Sequence, residues 1–121
     1  MGGGDSIVGV SLQRGDIVLV NLDPVIGSEQ GKTRPAVIIQ NNTGNKFANT
    51  TIVAPLTTTL PKKEYPTDVF IPRKRGVEND SVALLSQIRT VDKQRITKVL
   101  GTVDLAAMTQ IGDAIRVSLH V

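Results

Sequence analysis

Short apolar runs of strand length fill the chain from Asp16 to Val103, each closed by Gly, Pro, Asn, Asp or Thr, and a helical stripe appears only after them. About seven such runs spaced by turns predict a compact barrel or partly open sheet rather than alternating βαβ units. Asp16 to Leu22 reads as the first strand, and Asp23-Pro24 opens a loop that passes two glycines before Thr33. That loop exceeds the common hairpin length, and long loops often carry function, so it is a candidate active-site rim.

Pro35 to Gln40 is a continuous apolar run, the pattern of a strand buried on both faces. Asn41 to Asn49 is turn-rich, with a single helical turn expected around Asn45 to Ala48. Thr51 to Leu56 is the next strand. Pro61 to Pro66 is a charged loop bracketed by prolines and is expected to be mobile. Asp68 to Ile71 and Ser81 to Leu85 flank the basic turn Arg73-Lys74-Arg75-Gly76, Gln87 to Thr90 resumes after a break at Ser86, and Ile96 to Val103 ends the sheet. Asp104 is a good N-cap, and Leu105, Met108, Ile111 or Gly112, Ile115 and Leu119 recur at helical spacing, which predicts a terminal helix packed on the core.

At 121 residues the chain fits a single core, read as residues 13 to 121 with a flexible tail over residues 1 to 12. Few aromatics leave Val, Ile and Leu to build that core. The absence of cysteine removes disulfides and thiolate metal sites and is compatible with a cytoplasmic location. No stretch approaches the roughly 20 apolar residues of a membrane span. Met1-Gly2-Gly3-Gly4-Asp5-Ser6 formally fits a myristoylation pattern, but a glycine-rich start is read as a flexible tail.

The net charge of +3 favours an anionic partner. Basic and acidic residues balance as far as Leu60, so the excess lies in the second half, where it suits RNA phosphates or an acidic protein segment. The sole histidine, His120, is next to the end, and Asp16, Asp23 and Asp92 are scattered without ligand spacing, so no metal site or cofactor is expected.

Several motifs stand in a fixed order: Arg14-Gly15-Asp16 leading into Val18-Leu19-Val20-Asn21-Leu22-Asp23-Pro24, then Gly27-Ser28-Glu29-Gln30-Gly31, Thr33-Arg34-Pro35, Val53-Ala54-Pro55-Leu56-Thr57 and Gln87-Ile88-Arg89-Thr90-Val91-Asp92. This ordered set resembles the MazF/PemK-like toxins, the ribonuclease halves of bacterial toxin–antitoxin pairs, over roughly Gln13 to Leu119. The resemblance implies an SH3-like β-barrel of the MazF/CcdB type with a C-terminal helix. It further implies a homodimer, a single-stranded mRNA substrate and a cognate antitoxin whose acidic C-terminal segment blocks the RNA groove.

Cutting RNA without a metal ion asks the 2′-hydroxyl to attack phosphorus, which needs a proton acceptor, stabilisation of the phosphorane oxygens and a proton donor for the leaving oxygen. The products are a 2′,3′-cyclic phosphate and a 5′-hydroxyl. A guanidinium such as Arg34 and a threonine hydroxyl such as Thr57 suit a dianionic phosphorane. The resemblance assigns catalysis to the same two positions, although a strand-end threonine also commonly caps a turn. In the family the arginine is also held to move the proton, and because arginine is a reluctant base, Glu29 is the candidate helper. The expected RNA contacts are Ser28, Gln30 and Lys32 of the loop, Thr58, Gln87, Arg89 and Thr90. Arg89 either holds a phosphate or pairs with Asp92, and Gln87 is a candidate reader of a base edge. Lys62, Lys63, Arg73, Lys74 and Arg75 are read as an electrostatic funnel or as solvated turns. Some family members carry a histidine and an aspartate where this chain has Ser28 and Ser86, which shifts weight onto Arg34 and Thr57.

Two alternatives carry no chemistry. One is a poison of the same fold that binds a protein target such as a DNA gyrase, with the terminal helix as its contact surface. The other is a catalytically dead barrel that binds only an antitoxin or RNA.

Overall fold

A computed structural model describes residues 11–121. They form β1 (Asp16–Asn21), β2 (Thr33–Ile38), α1 (Asn42–Phe47), β3 (Thr50–Thr57), β4 (Asp68–Ile71), β5 (Ser81–Leu84), β6 (Arg89–Asp92), β7 (Ile96–Thr102) and α2 (Leu105–Leu119). Every strand pairing is antiparallel, in the order β4-β5-β3-β2-β1-β7, with β6 added to β3. The edge strands β4 and β7 do not pair, so the SH3-like barrel is an open one. The glycine-rich start and its lipidation pattern lie outside the described residues, and Leu12, read as part of the tail, is buried in the core.

Runs that are apolar on both faces make a sheet with two buried layers, and β1 and β2 show it. Ile17, Val37, Ala54 and Leu56 face a layer completed by Val69, Ile71, Leu85, Ile111 and Ala114, while Val18, Val20, Ala36, Ile38 and Val53 face a second layer with Leu12, Leu22, Val91 and Ile96. Helix α2 covers the first layer. The Asp104 side chain accepts the Ala107 N–H at 2.8 Å, as the N-cap expectation requires. The buried face differs from the expected stripe. Ile111 and Ala114 are buried, with Ala107, Met108 and Ile115 packed beside them, whereas Leu105 and Leu119 are exposed. The helix rests on β4 and the Leu85–Gln87 turn, and its buried residues Ile111 and Ala114 fall near its middle.

Helix α1 starts earlier than the single turn expected, because the Asn41 side chain accepts the Gly44 N–H at 2.8 Å and caps it. Its buried Asn45 accepts hydrogen bonds from the Thr51 hydroxyl at 2.7 Å and the Gln40 amide at 3.1 Å, and donates to the Gln40 carbonyl at 3.0 Å. Among the described residues no buried side-chain polar atom lacks a partner. Nor is any helix among them long and apolar enough to cross a membrane.

The turn after β4 spans the open side of the barrel. The Lys74 ammonium donates to the Thr102 carbonyl at the end of β7, and Gly76 lies against Leu100 with φ of +89°. A Cβ at Gly76 would overlap the Leu100 carbonyl oxygen, and its backbone is in a region that L-residues avoid. Gly76→Ala is therefore expected to cost at least about 1–3 kcal/mol and lower the melting temperature by roughly 5 °C or more. An unchanged thermal midpoint would contradict this closure.

Candidate functional site: a polar rim at the seam of β3

The site begins with a missing hydrogen. Ile39 donates its N–H to the Ile52 carbonyl at 2.9 Å, so Ile52, Ala54 and Leu56 turn their backbone groups toward β2 while Thr51, Val53, Pro55 and Thr57 turn theirs to the opposite edge. On that edge Val53 pairs with Arg89 of β6 and Thr57 pairs with Val82 of β5. Pro55, between them, has no N–H to offer. The ladder breaks there, and the chain between β5 and β6 bulges as a 3₁₀ turn over Leu85–Gln87. Buried Leu85 anchors the turn in the layer under α2, and its N–H bonds the Thr67 carbonyl at 2.9 Å. Ser86 and Gln87 then line a cavity of about 420 Å³ together with Pro55, Glu29, Gln30 and Arg89.

The long loop between β1 and β2 forms the other wall, and side chains tie it down. The Gln87 amide oxygen accepts the Gln30 N–H at 2.9 Å, the Asp23 carboxylate accepts the Lys32 N–H at 2.7 Å, and the Glu29 carboxylate accepts the Ile26 N–H at 2.6 Å. The Arg34 Nε donates to the Gly31 carbonyl at 2.8 Å. Lys32 adopts a left-handed φ of 64°, rare for a residue with a side chain, and the Asp23 bond holds it there. Gly31 is required beside it, since a Cβ would sit 2.6 Å from a Val25 methyl and 2.7 Å from the Asp23 carboxylate.

Arg34 and Thr57 share one face of the sheet. The β2–β3 register runs Ile38↔Val53, Val37↔Ala54 and Ala36↔Pro55, and Arg34 and Thr57, each two residues further along its strand from the last of these pairs, keep the parity of Ala36 and Pro55. Residues two apart along a strand point to the same face, so Arg34 and Thr57 lie on one side of the sheet. Pro55 of the cavity wall precedes Thr57 by two residues on that face. The two side chains therefore continue the rim, although neither lines the cavity itself. Both are half-buried, and the Thr57 hydroxyl accepts the Thr59 N–H at 3.2 Å, the turn-capping contact weighed from the sequence.

The other expected residues divide. Glu29, Gln30, Gln87 and Arg89 meet in the cavity, while Ser28 and Lys32 are exposed on the loop. Thr90 is exposed outside the cavity, and Thr58 lines a separate one with Pro35, Gly76 and Lys98. The Arg89–Asp92 pair does not form. The Arg89 guanidinium donates to the Leu22 carbonyl at 2.8 Å, tying β6 to the end of β1, and Asp92 instead accepts the Gln94 N–H at 2.8 Å. Gln87 has its oxygen committed to the loop, leaving its NH₂ as the group that can meet a ligand. Two contributors had no visible signal. Asp23 reaches Lys32 across the loop, and the Arg95 guanidinium bonds the Asn21 and Asp23 carbonyls from the far end of the chain. Among the described residues no group of three His, Asp or Glu side chains is arranged to hold a metal ion.

A small open barrel whose seam gathers a fixed guanidinium, a hydroxyl and a tied-down polar loop defines the class: a barrel with a rim suited to an anionic ligand. The sequence profile of the PemK-like, MazF-like toxins of type II toxin–antitoxin systems matches residues 13–119, and the chain belongs to that family. It is 48% identical over 109 residues to the endoribonuclease EndoA of Bacillus subtilis, spanning 89% of this chain and 94% of that protein. The endoribonuclease MazF of Staphylococcus epidermidis is 47% identical, over 89% of this chain and 91% of its own length. Among solved structures, MazF of Deinococcus radiodurans has a TM-score of 0.79 at 25% identity, with 92% of this chain and 98% of that one covered.

If Gln87 holds the loop, Gln87→Ala will speed amide hydrogen exchange at Gln30 and along Asp23 to Lys32, at a stability cost of about 1 kcal/mol. Unaltered protection of the Gln30 amide would show that the loop is held by other means.

Proposed function

We propose that this chain is a sequence-specific endoribonuclease toxin, a single domain over residues 13 to 121. It cleaves single-stranded mRNA in the cytoplasm, works as a homodimer and is neutralised by an antitoxin with an acidic C-terminal segment. Membership of the toxin family and relatives named as endoribonucleases support the activity. The observation that carries the site is the common sheet face of Arg34 and Thr57 beside a polar cavity.

In the proposed reaction the RNA 2′-oxygen forms a bond to the adjacent phosphorus and the bond from phosphorus to the 5′-oxygen breaks. The product ends are a 2′,3′-cyclic phosphate and a 5′-hydroxyl. Arg34 and the Thr57 hydroxyl donate hydrogen bonds to the phosphorane oxygens, where a second negative charge develops. The Arg34 Nε is engaged by the Gly31 carbonyl, which fixes the plane of the guanidinium and leaves its terminal nitrogens for phosphate. Glu29, in the cavity wall, takes the proton from the 2′-hydroxyl directly or through water, and solvent water protonates the leaving 5′-oxygen. The NH₂ of Gln87 and the exposed Ser28 and Lys32 contact bases and phosphates along the rim, with Arg89 acting as a brace behind it.

The test is cleavage of a long RNA in EDTA with mapping of the cut ends. The wild type is expected to leave 5′-hydroxyl ends, and Arg34→Ala and Thr57→Ala each to lose about 10²-fold or more in rate. Glu29→Gln is expected to lose about 10²-fold. Cutting that survives both of the first two substitutions would remove the proposed site, and no cutting of any RNA would favour a binding-only poison.

A further inference from the structure

The row of side chains that holds Arg34 and Thr57 does not stop at β3. Thr57 is paired with Val82 on β5, and Val82 with Phe70 on β4, so these three share one sheet face in a line across the strands. With strands about 4.8 Å apart, Phe70 lies two steps, or about 10 Å, from the Thr57 hydroxyl. Here the face becomes apolar and open. Phe70 is 51% exposed, Tyr65 54% and Leu60 59%, and with Val82 they line a cavity of about 550 Å³ that also contains Glu64 and Asp68. Aromatic and apolar exposure gathered in one hollow calls for a partner. The adjoining Lys62 and Lys63 give its rim the charge of a phosphate contact.

We propose that this hollow is a base-specificity subsite, in which Tyr65 stacks on a nucleobase flanking the cut bond and the carboxylates of Asp68 and Glu64 select a base carrying an exocyclic amino group. The inference rests on the endoribonuclease reading above and adds to it which residues choose the base. Stacking tolerates any base, so discrimination falls to the carboxylates. They accept hydrogen bonds from the amino groups of adenine, cytosine and guanine, whereas uracil has no amino group and offers only its ring N3–H, flanked by two carbonyl oxygens that face the carboxylates unfavourably. Partial burial in the hollow raises the pKa of Asp68 above the ordinary carboxylate value. An amino group entering the hollow donates to this carboxylate.

The chain holds one tyrosine and no tryptophan, so its intrinsic fluorescence reports on Tyr65 alone. The probe is a single-stranded oligonucleotide with 2′-O-methyl sugars, which binds without being cut, followed in parallel by anisotropy of a label on the oligonucleotide. Binding is expected to quench Tyr65 emission in the wild type. Mapped cut sites on RNA are expected to show one flanking position where amino-bearing bases outrank uracil by about tenfold. Asp68→Ala flattens that preference, Tyr65→Ala weakens binding about tenfold, and Tyr65→Phe restores it. Unquenched Tyr65 emission in a complex that anisotropy confirms, no oligonucleotide binding at all, or base frequencies unmoved by Asp68→Ala would each overturn the subsite. Because the fluorescence readout needs no cleavage, quenching without cutting would leave the subsite standing while the endoribonuclease reading fails, and cutting without quenching would do the reverse.

Discussion

One absent N–H organises the site. Pro55 sits inside a strand bonded on both edges, a position where proline is normally excluded, and the structure accommodates it by letting the neighbouring chain leave the ladder between Leu84 and Arg89. That departure aims Gln87 at the loop between β1 and β2, and the loop in turn offers its Gly31 carbonyl to Arg34. A ladder gap, a 3₁₀ turn, a clamped loop and an oriented guanidinium follow one another along this seam. The gap costs backbone hydrogen bonds, and the side-chain bonds at the seam offset part of that loss.

The clamps also explain how a long loop can form part of a site. Preorganised donors stabilise developing charge because they need not reorient when it appears. A free eleven-residue excursion would not hold that geometry, whereas here Asp23, Glu29 and Gln87 each fix a different backbone N–H. All three bonds are exposed or half-buried, each contributing about 1 kcal/mol. The loop is therefore held firmly enough to present a surface and weakly enough to be displaced by a ligand with comparable bonds to offer.

The sequence spoke most clearly where periodicity and local chemistry agree. The doubly buried strands, the Asp104 cap and the terminal helix all appear, because apolar runs, a capping carboxylate and helical spacing act over a few residues. Helix α1 was harder to read, since its stability comes from buried Asn45 meeting Gln40 and Thr51 rather than from an apolar stripe. Arg89 and Gln87 carry the motif signal for ligand contact, yet one braces Leu22 and the other holds Gln30. Motif and brace are compatible, but the partners lie 67 and 57 residues away and leave no local trace. The aromatic hollow beyond Thr57 leaves no local trace for the same reason: Phe70 meets Val82 through strand pairing, and Tyr65 joins them from the loop before β4.

The central claim is that the Arg34 guanidinium and the Thr57 hydroxyl stabilise the same phosphorane. A double-mutant cycle on the single-turnover cleavage rate, with Arg34→Ala, Thr57→Ala and the double variant, tests it most directly. Groups acting as a unit are non-additive, so the double variant is predicted to be little slower than the slower single variant, with a coupling of about 1–3 kcal/mol. Losses that simply multiply, or a Thr57→Ala enzyme as fast as wild type, would show that the two residues do not serve one reaction centre.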